Sequence, residues 1–272
     1  MSLGIPLAAP RSQGRLHHRK NPDKMTRRQL SDYRKALARS MALNDDRGFQ
    51  HWGGIHGLPL PMYCQHHTDL FLPWHRAYLY FFELSLQDID RTVSLPWWDW
   101  SSRVAHQRGV PEAYADPKVG GKDNPLASSE INDQARRQFA SSGAKAPRRT
   151  KRNPGRPERL PSKEQVDAVL ELSDFLDFSA QLEDIHDGIH VWVGGTMGEI
   201  PLAAYDPLFF AHHSMVDRLW RLWQLRHPGA NPPAGLLDDA LPPFQMTVAE
   251  TLDVASLGYD YASSTQHSGG GT

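Results

Sequence analysis

The chain has 272 residues, 39% apolar and 22% charged, with 30 basic against 31 acidic side chains, 14 histidines and one cysteine. That length suits one large domain or two small ones with a substantial core, and a net charge of −1 leaves no excess field for nucleic acid or another polyanion. A lone cysteine excludes an intrachain disulfide and any site built on several thiolates, so a metal here is held by nitrogen or oxygen.

No apolar run is long enough to span a bilayer. Met1 to Pro10 contains two prolines and no leading basic region, so no signal peptide is expected, and the chain is expected in the cytoplasm or exported with a partner. Thr26 is the expected N-cap of a helix through Leu30, Tyr33, Leu37 and Met41, which Asn44 to Asp46 ends. Gly48 to Cys64, with Gly53-Gly54 and Pro59-Leu60-Pro61 inside it, reads as loop. Pro73 suits the first turn of a second helix, whose stripe of Leu79, Phe82, Leu86 and Ile89 is core. Leu95 to Trp100, LPWWDW, fits a strand or a buried turn equally.

From Ser101 to Ser162 the periodicity fades. Residues 115–162 are expected as a long loop region, with the basic stretch from Lys145 to Arg159 as a solvated part of it. Ser162 or Ser173 opens the next helical region, which carries Val166, Leu170, Leu176 and Phe178 and continues toward His190. Asp206-Pro207 is a strong helix start for LFFAHHSMVDRLWRLWQ, in which Phe209, His213, Val216, Trp220 and Trp223 share one face. The segment from Pro228 to Pro243 ends that helix, and residues 262–272 read as a flexible tail.

The histidines are grouped. His51, His56, His66, His67 and His75 form one cluster, His186, His190, His212 and His213 another, and only His106 lies between them. On a helix, His186 and His190 at i and i+4 project from one face, with Cβ atoms about 6 Å apart. His212 or His213 would complete a three-nitrogen shell, and His75 with His56 and His66 offers a second. Imidazole shells suit copper, zinc, iron or nickel. No H-E-x-x-H protease motif occurs. A ferritin-like di-iron site would need two Glu-x-x-His elements, and the only one is Glu183 to His186. A histidine-rich binuclear copper centre is the best chemical match, and the paired histidine helices predict a mainly α fold: a four-helix bundle core with ligands pointing inward, long irregular loops and few short strands.

The segments HHTDLFLPWHRAYLYFFE, from His66 to Glu83, and HDGIHVWVGG with DPLFFAHHSMVDRLWRLW, between His186 and Trp223, resemble the two copper-binding motifs of the tyrosinase superfamily of type 3 copper proteins. The resemblance covers roughly residues 19–261 and implies a single tyrosinase-like copper domain over 1–272. It places His56, His66 and His75 on copper A and His186, His190 and His213 on copper B, with His212 beside them and Asp217 a candidate to orient a ligand ring. Cys64-Gln65-His66 matches the C-x-H arrangement in which some members form a thioether between the cysteine and the copper-A histidine.

The resemblance further implies two copper ions, O₂ as co-substrate, and oxidation of phenols and o-diphenols to o-quinones. The other activities of this kind of protein are o-aminophenol oxidation and oxygen carriage of the haemocyanin type. The partners expected are a small phenolic or aminophenolic substrate and a copper-delivery protein. Glu183 stands where tyrosinase-like members have a glutamate, and Asp187 where they have an asparagine, the two orienting a water that serves as base. Met197, Ile200 and Ala203 are expected to line the substrate entrance. Arg19 and Tyr259-Asp260-Tyr261 resemble the arginine and Y-x-Y motif that ties the chain ends together, and with eleven residues after Tyr261 no C-terminal shielding domain is expected.

Overall fold

The computed structural model describes residues 16–262, so Met1 to Pro10 and all but the first residue of the expected tail lie outside the described residues. The chain enters through β1 (His17–Arg19). Thr26 then caps α1 (Arg27–Met41) through a capping box, its hydroxyl accepting from the Gln29 N–H while the Gln29 side chain accepts from the Thr26 N–H. Tyr33, Ala36 and Leu37 form its buried face.

The expected loop from Gly48 onward instead begins with a helix, α2 (Phe49–His56). Its two glycines weaken it locally, but Phe49, Trp52, Ile55 and His56 are buried, and tertiary packing overrides propensity. Helix α3 (Phe71–Ile89) is buried on nearly every side and forms the centre of the molecule. LPWWDW is a buried turn: Trp97, Trp98 and Trp100 are inside, and the Trp98 N–H donates to the Ala211 carbonyl at 2.9 Å.

The aperiodic stretch holds only short elements: α4 (Arg103–Arg108), α5 (Glu112–Ala115), the hairpin β2 (Lys118–Val119) and β3 (Lys122–Asp123), and α6 (Asp133–Ala140). Its basic stretch is solvated at Arg148, Lys151, Arg156 and Arg159. The backbone there is nevertheless tied down, the Asn153 N–H donating to Val193 at 2.9 Å and the Gly155 N–H to Trp192 at 2.7 Å. Arg152 turns inward onto the buried Asp206 carboxylate.

Ser162 caps α7 (Lys163–Leu170), and Asp174 rather than Ser173 caps α8 (Phe175–Val193). After α9 (Ile200–Ala203) comes α10 (Leu208–Arg226), whose first turn is held by Asp206 Oδ1 accepting from the Leu208 N–H at 2.9 Å. The described chain ends in β4 (Tyr259–Tyr261), which pairs in parallel with β1, Arg19 opposite Tyr261. Helix α3 packs on α1, α8 and α10, giving the expected mainly helical fold with few short strands. Among the described residues no helix is long and apolar enough to cross a membrane.

Asp217 does not orient a ligand ring. Its Oδ1 accepts from Arg76 Nε at 2.5 Å, and its Oδ2 from Arg19 Nη1 at 3.1 Å, the Tyr259 hydroxyl at 2.7 Å and the Tyr261 hydroxyl. Arg19 also pairs with Glu83 on α3 at 2.8 Å, so the motif that joins the chain ends is welded to α3 and α10.

Candidate metal centre

Three of the histidines have their tautomer set by the chain itself. His75 Nδ1 lies 2.8 Å from the Phe71 carbonyl, His190 Nδ1 2.8 Å from the Met197 carbonyl, and His186 Nδ1 3.0 Å from Asp187 Oδ1. Carbonyl and carboxylate oxygens only accept, so each Nδ1 carries the proton and each Nε2 presents a bare lone pair. His213 Nε2 lies 3.2 Å from both His186 Nε2 and His190 Nε2. One nitrogen with at most one proton cannot satisfy two lone pairs, whereas a cation among the three would.

The other triplet is assembled similarly. His56 Nε2 is 3.4 Å from His66 Nε2, the His75 ring lies 5.7 and 5.2 Å from theirs, and His75 Nε2 has no hydrogen-bond partner among the described residues. The two triplets abut, His75 against His213 at 4.6 Å between ring centroids and His66 against His186 at 5.6 Å. Burial, reinforced by the neighbouring imidazoles, holds His56, His75, His186 and His213 well below the ordinary histidine range. Burial brings His190 to about 4. All five are therefore neutral near pH 7, the protonation state a metal requires of imidazole. Two largely buried, nitrogen-only triplets fit a pair of copper ions.

Close backbone approaches place these rings. Gly57 follows His56 where any Cβ would sit 2.1 Å from the Pro201 carbonyl oxygen, so only glycine lets α2 end against α9. Aromatic walls hold the rings: Phe209 stacks on His213 at 3.9 Å and packs on His56 at 4.6 Å, while Phe71 touches His75 and His186 at 4.9 and 5.0 Å.

Glu183 is buried one turn before His186. Its Oε1 accepts from the His67 N–H at 2.7 Å and lies 3.4 Å from His66 Nδ1, which ties the loop carrying His66 to α8. His67 is held at φ 54°, the one positive-φ residue other than glycine among those described. Asp187 is partly exposed, with Oδ2 3.7 Å from His67 Nε2. Cys64 is half-buried, its sulfur within 4.8 Å of donor nitrogens on His56 and His66, and burial pushes its thiol up to about 11. It is a neutral thiol there rather than a thiolate ligand.

The expected entrance needs correction. Met197 and Ala203 are fully buried because both side chains pack in the core, the Met197 backbone carbonyl accepting from His190 Nδ1, so neither side chain forms the solvent-facing rim. Ile200 is 46% exposed. Val191, 76% exposed and not anticipated, shares the outer face of α8 with Asp187 at i+4. Its position next to His190 was the available signal. His51 is half-buried against Trp52 and outside both triplets. His212 is fully buried and packs on His186, His190 and His213.

Comparison with known proteins agrees with this geometry. The common central domain of tyrosinase matches residues 46–226. The tyrosinase of Streptomyces glaucescens is 34% identical over 219 residues, covering 69% of this chain and 77% of that protein. A G-type haemocyanin of Enteroctopus dofleini is 30% identical over an alignment 275 positions long that covers 89% of this chain but only 9% of the haemocyanin's length. The solved structure of a functional unit of octopus haemocyanin superposes with a TM-score of 0.76 at 30% identity, over 90% of this chain and 68% of that one. With the extent of these matches and the two histidine triplets, the chain belongs to the tyrosinase family of type 3 copper proteins.

Proposed function

We propose that this protein oxidises o-diphenols, and phenols, to o-quinones with O₂. When bound by the two triplets, a copper pair supplies O₂ binding and the two-electron oxidation. The chain's own part is to hold six imidazoles, to keep water out through Phe71, Phe209 and Trp74, and to seat an aromatic ring beside them. The observation that supports the reading is an exposed apolar side chain beside the ligands: Ile200 is 46% exposed at the start of α9, and its backbone lies next to His56. An apolar side chain exposed beside the ligands suits an aromatic substrate, which an oxygen carrier of the haemocyanin kind does not need. Glu183 and Asp187 flank His186 and, on this reading, hold the water that takes the phenolic proton.

Asp187 supports a second substrate class. A carboxylate stands here in place of the expected asparagine and lies partly exposed, so it attracts an amine next to the ring, as in an o-aminophenol. Copper quantitation, a spectrum after peroxide treatment and a catechol assay test the proposal together. The expected result is two coppers per chain, an intense near-ultraviolet band and O₂-dependent quinone formation. The band without quinone would make the protein an oxygen carrier, and zinc or a single metal would overturn the copper reading. A separate copper-delivery protein belongs to the proposal, and reconstitution with free copper alone at full activity would remove the need for it.

We also propose the Cys64–His66 thioether, formed by joining Sγ to an imidazole carbon with loss of two hydrogens to O₂. The sulfur stands near that ring, and the bond would fix the one copper-A ligand that is carried by a loop. The denatured, copper-loaded protein is expected to weigh two hydrogens less than the free-thiol form, with Cys64 resistant to alkylation. An unchanged mass with a fully alkylated cysteine contradicts it.

A further inference from the structure

The ring of His212 has no assigned work. It is completely buried, and neither of its nitrogens has a hydrogen-bond partner among the described residues. A neutral imidazole carries one donor and one acceptor; the His186 backbone lies near one ring nitrogen, and leaving the other unmet in the interior is costly where a leucine or phenylalanine would fill the same space without that penalty.

Its surroundings are three further imidazoles. His186 and His190 stand at i and i+4 on α8, and His212 and His213 are consecutive on α10, so their side chains leave that helix about 100° apart. The four ring centroids form a nearly regular tetrahedron: 186–190 is 4.5 Å, 186–212 is 5.0 Å, 186–213 is 4.7 Å, 190–212 is 4.9 Å, 190–213 is 5.4 Å and 212–213 is 5.0 Å. One donor nitrogen from each lies within 4.8 Å of the others. Four imidazoles at Zn–N distances of about 2.0–2.1 Å in a tetrahedron place their ring centres about 5 Å apart.

We propose that His186, His190, His212 and His213 form a closed four-nitrogen site for a single zinc ion. Zinc suits such a set because it has no redox chemistry and takes tetrahedral nitrogen shells readily. A closed shell leaves no position for water, O₂ or substrate. Zinc occupancy is therefore an inert alternative to the copper pair, and His212 decides whether the α8–α10 side is closed by four nitrogens or open with three. The inference shares three residues with the copper reading and stands without it, because it concerns zinc alone.

Zinc-edge X-ray absorption on the wild-type apoprotein with one equivalent of zinc is the direct test. Four imidazoles at about 2.0 Å are expected; three imidazoles with an oxygen scatterer overturn the proposal. In chelator competition, H212F is expected to weaken zinc binding at least about tenfold, and equal affinity in a variant with wild-type far-ultraviolet circular dichroism overturns it. Should H212F fold poorly, the wild-type absorption measurement still decides. Failure of the copper reading would show in copper stoichiometry and quinone formation, neither of which enters the zinc experiment.

Discussion

Replacing His213 with asparagine is expected to remove catechol oxidation and lower bound copper from two equivalents to one. His213 is the ring on which both triplets depend: its Nε2 stands 3.2 Å from the Nε2 atoms of His186 and His190, and its face stacks on His75 of the other triplet at 4.6 Å. Asparagine is smaller and polar, so the substitution withdraws a nitrogen donor and also frees the His75 ring to tilt. Loss of a metal's contribution to a transition state amounts to several kcal/mol, or on the order of 10³ in rate. Copper quantitation with O₂ uptake checks it, and His227→Ala just past the end of the same helix, where the ring meets the Leu170 carbonyl and the Trp223 ring away from both triplets, is the comparison. If His213→Asn retained two coppers and oxidised catechol within tenfold of wild type, His213 would not be a ligand.

The parts of this molecule that were legible in the sequence are those governed by local chemistry. Thr26 with Gln29, Ser162 with Gln165 and Asp206 before the last long helix announce helix starts because a cap satisfies backbone groups within a few residues. The histidine spacing was legible for the same reason, since i and i+4 on one helix fixes a face. What was hidden depends on residues far away in the chain. Helix α2 reads as loop because Gly53-Gly54 lowers its propensity, and only burial of Phe49, Trp52 and Ile55 against the rest of the fold makes it a helix. Asp217, one turn beyond His213, looks like a partner for a ligand ring. It is claimed instead by Arg19 of β1, Arg76 of α3 and the two tyrosines of β4. The rim was misplaced for a related reason: Met197 and Ala203 lie close in sequence to the ligands, but burial is a property of the packed chain.

Asp217→Ala is expected to lower stability by about 3–5 kcal/mol, because it leaves a buried positive charge without its partner. In the wild-type chain Arg19 and Arg76 are balanced by Glu83 and Asp217, all four almost inaccessible to solvent, with the guanidinium of Arg76 3.5 Å from the Trp220 ring centroid and that of Arg19 3.7 Å from that of Tyr259. Burial pushes the Asp217 carboxyl up, but Arg76 and Arg19 outweigh it and hold the group below its ordinary value. A carboxyl depressed in the folded state stabilises fully above its unfolded value of 3.8 and loses that contribution as pH falls through the lower folded value. The melting temperature of Asp217→Ala should therefore lie about 10 °C below wild type at neutral pH, and the gap should narrow on acidification below pH 4. A gap that widened in acid would mean that Asp217 is not charged in the fold. Arg76→Met added to Asp217→Ala removes the stranded charge along with its partner, so the double variant should cost less than the sum of the single ones. Strict additivity would show that the two side chains do not share one network.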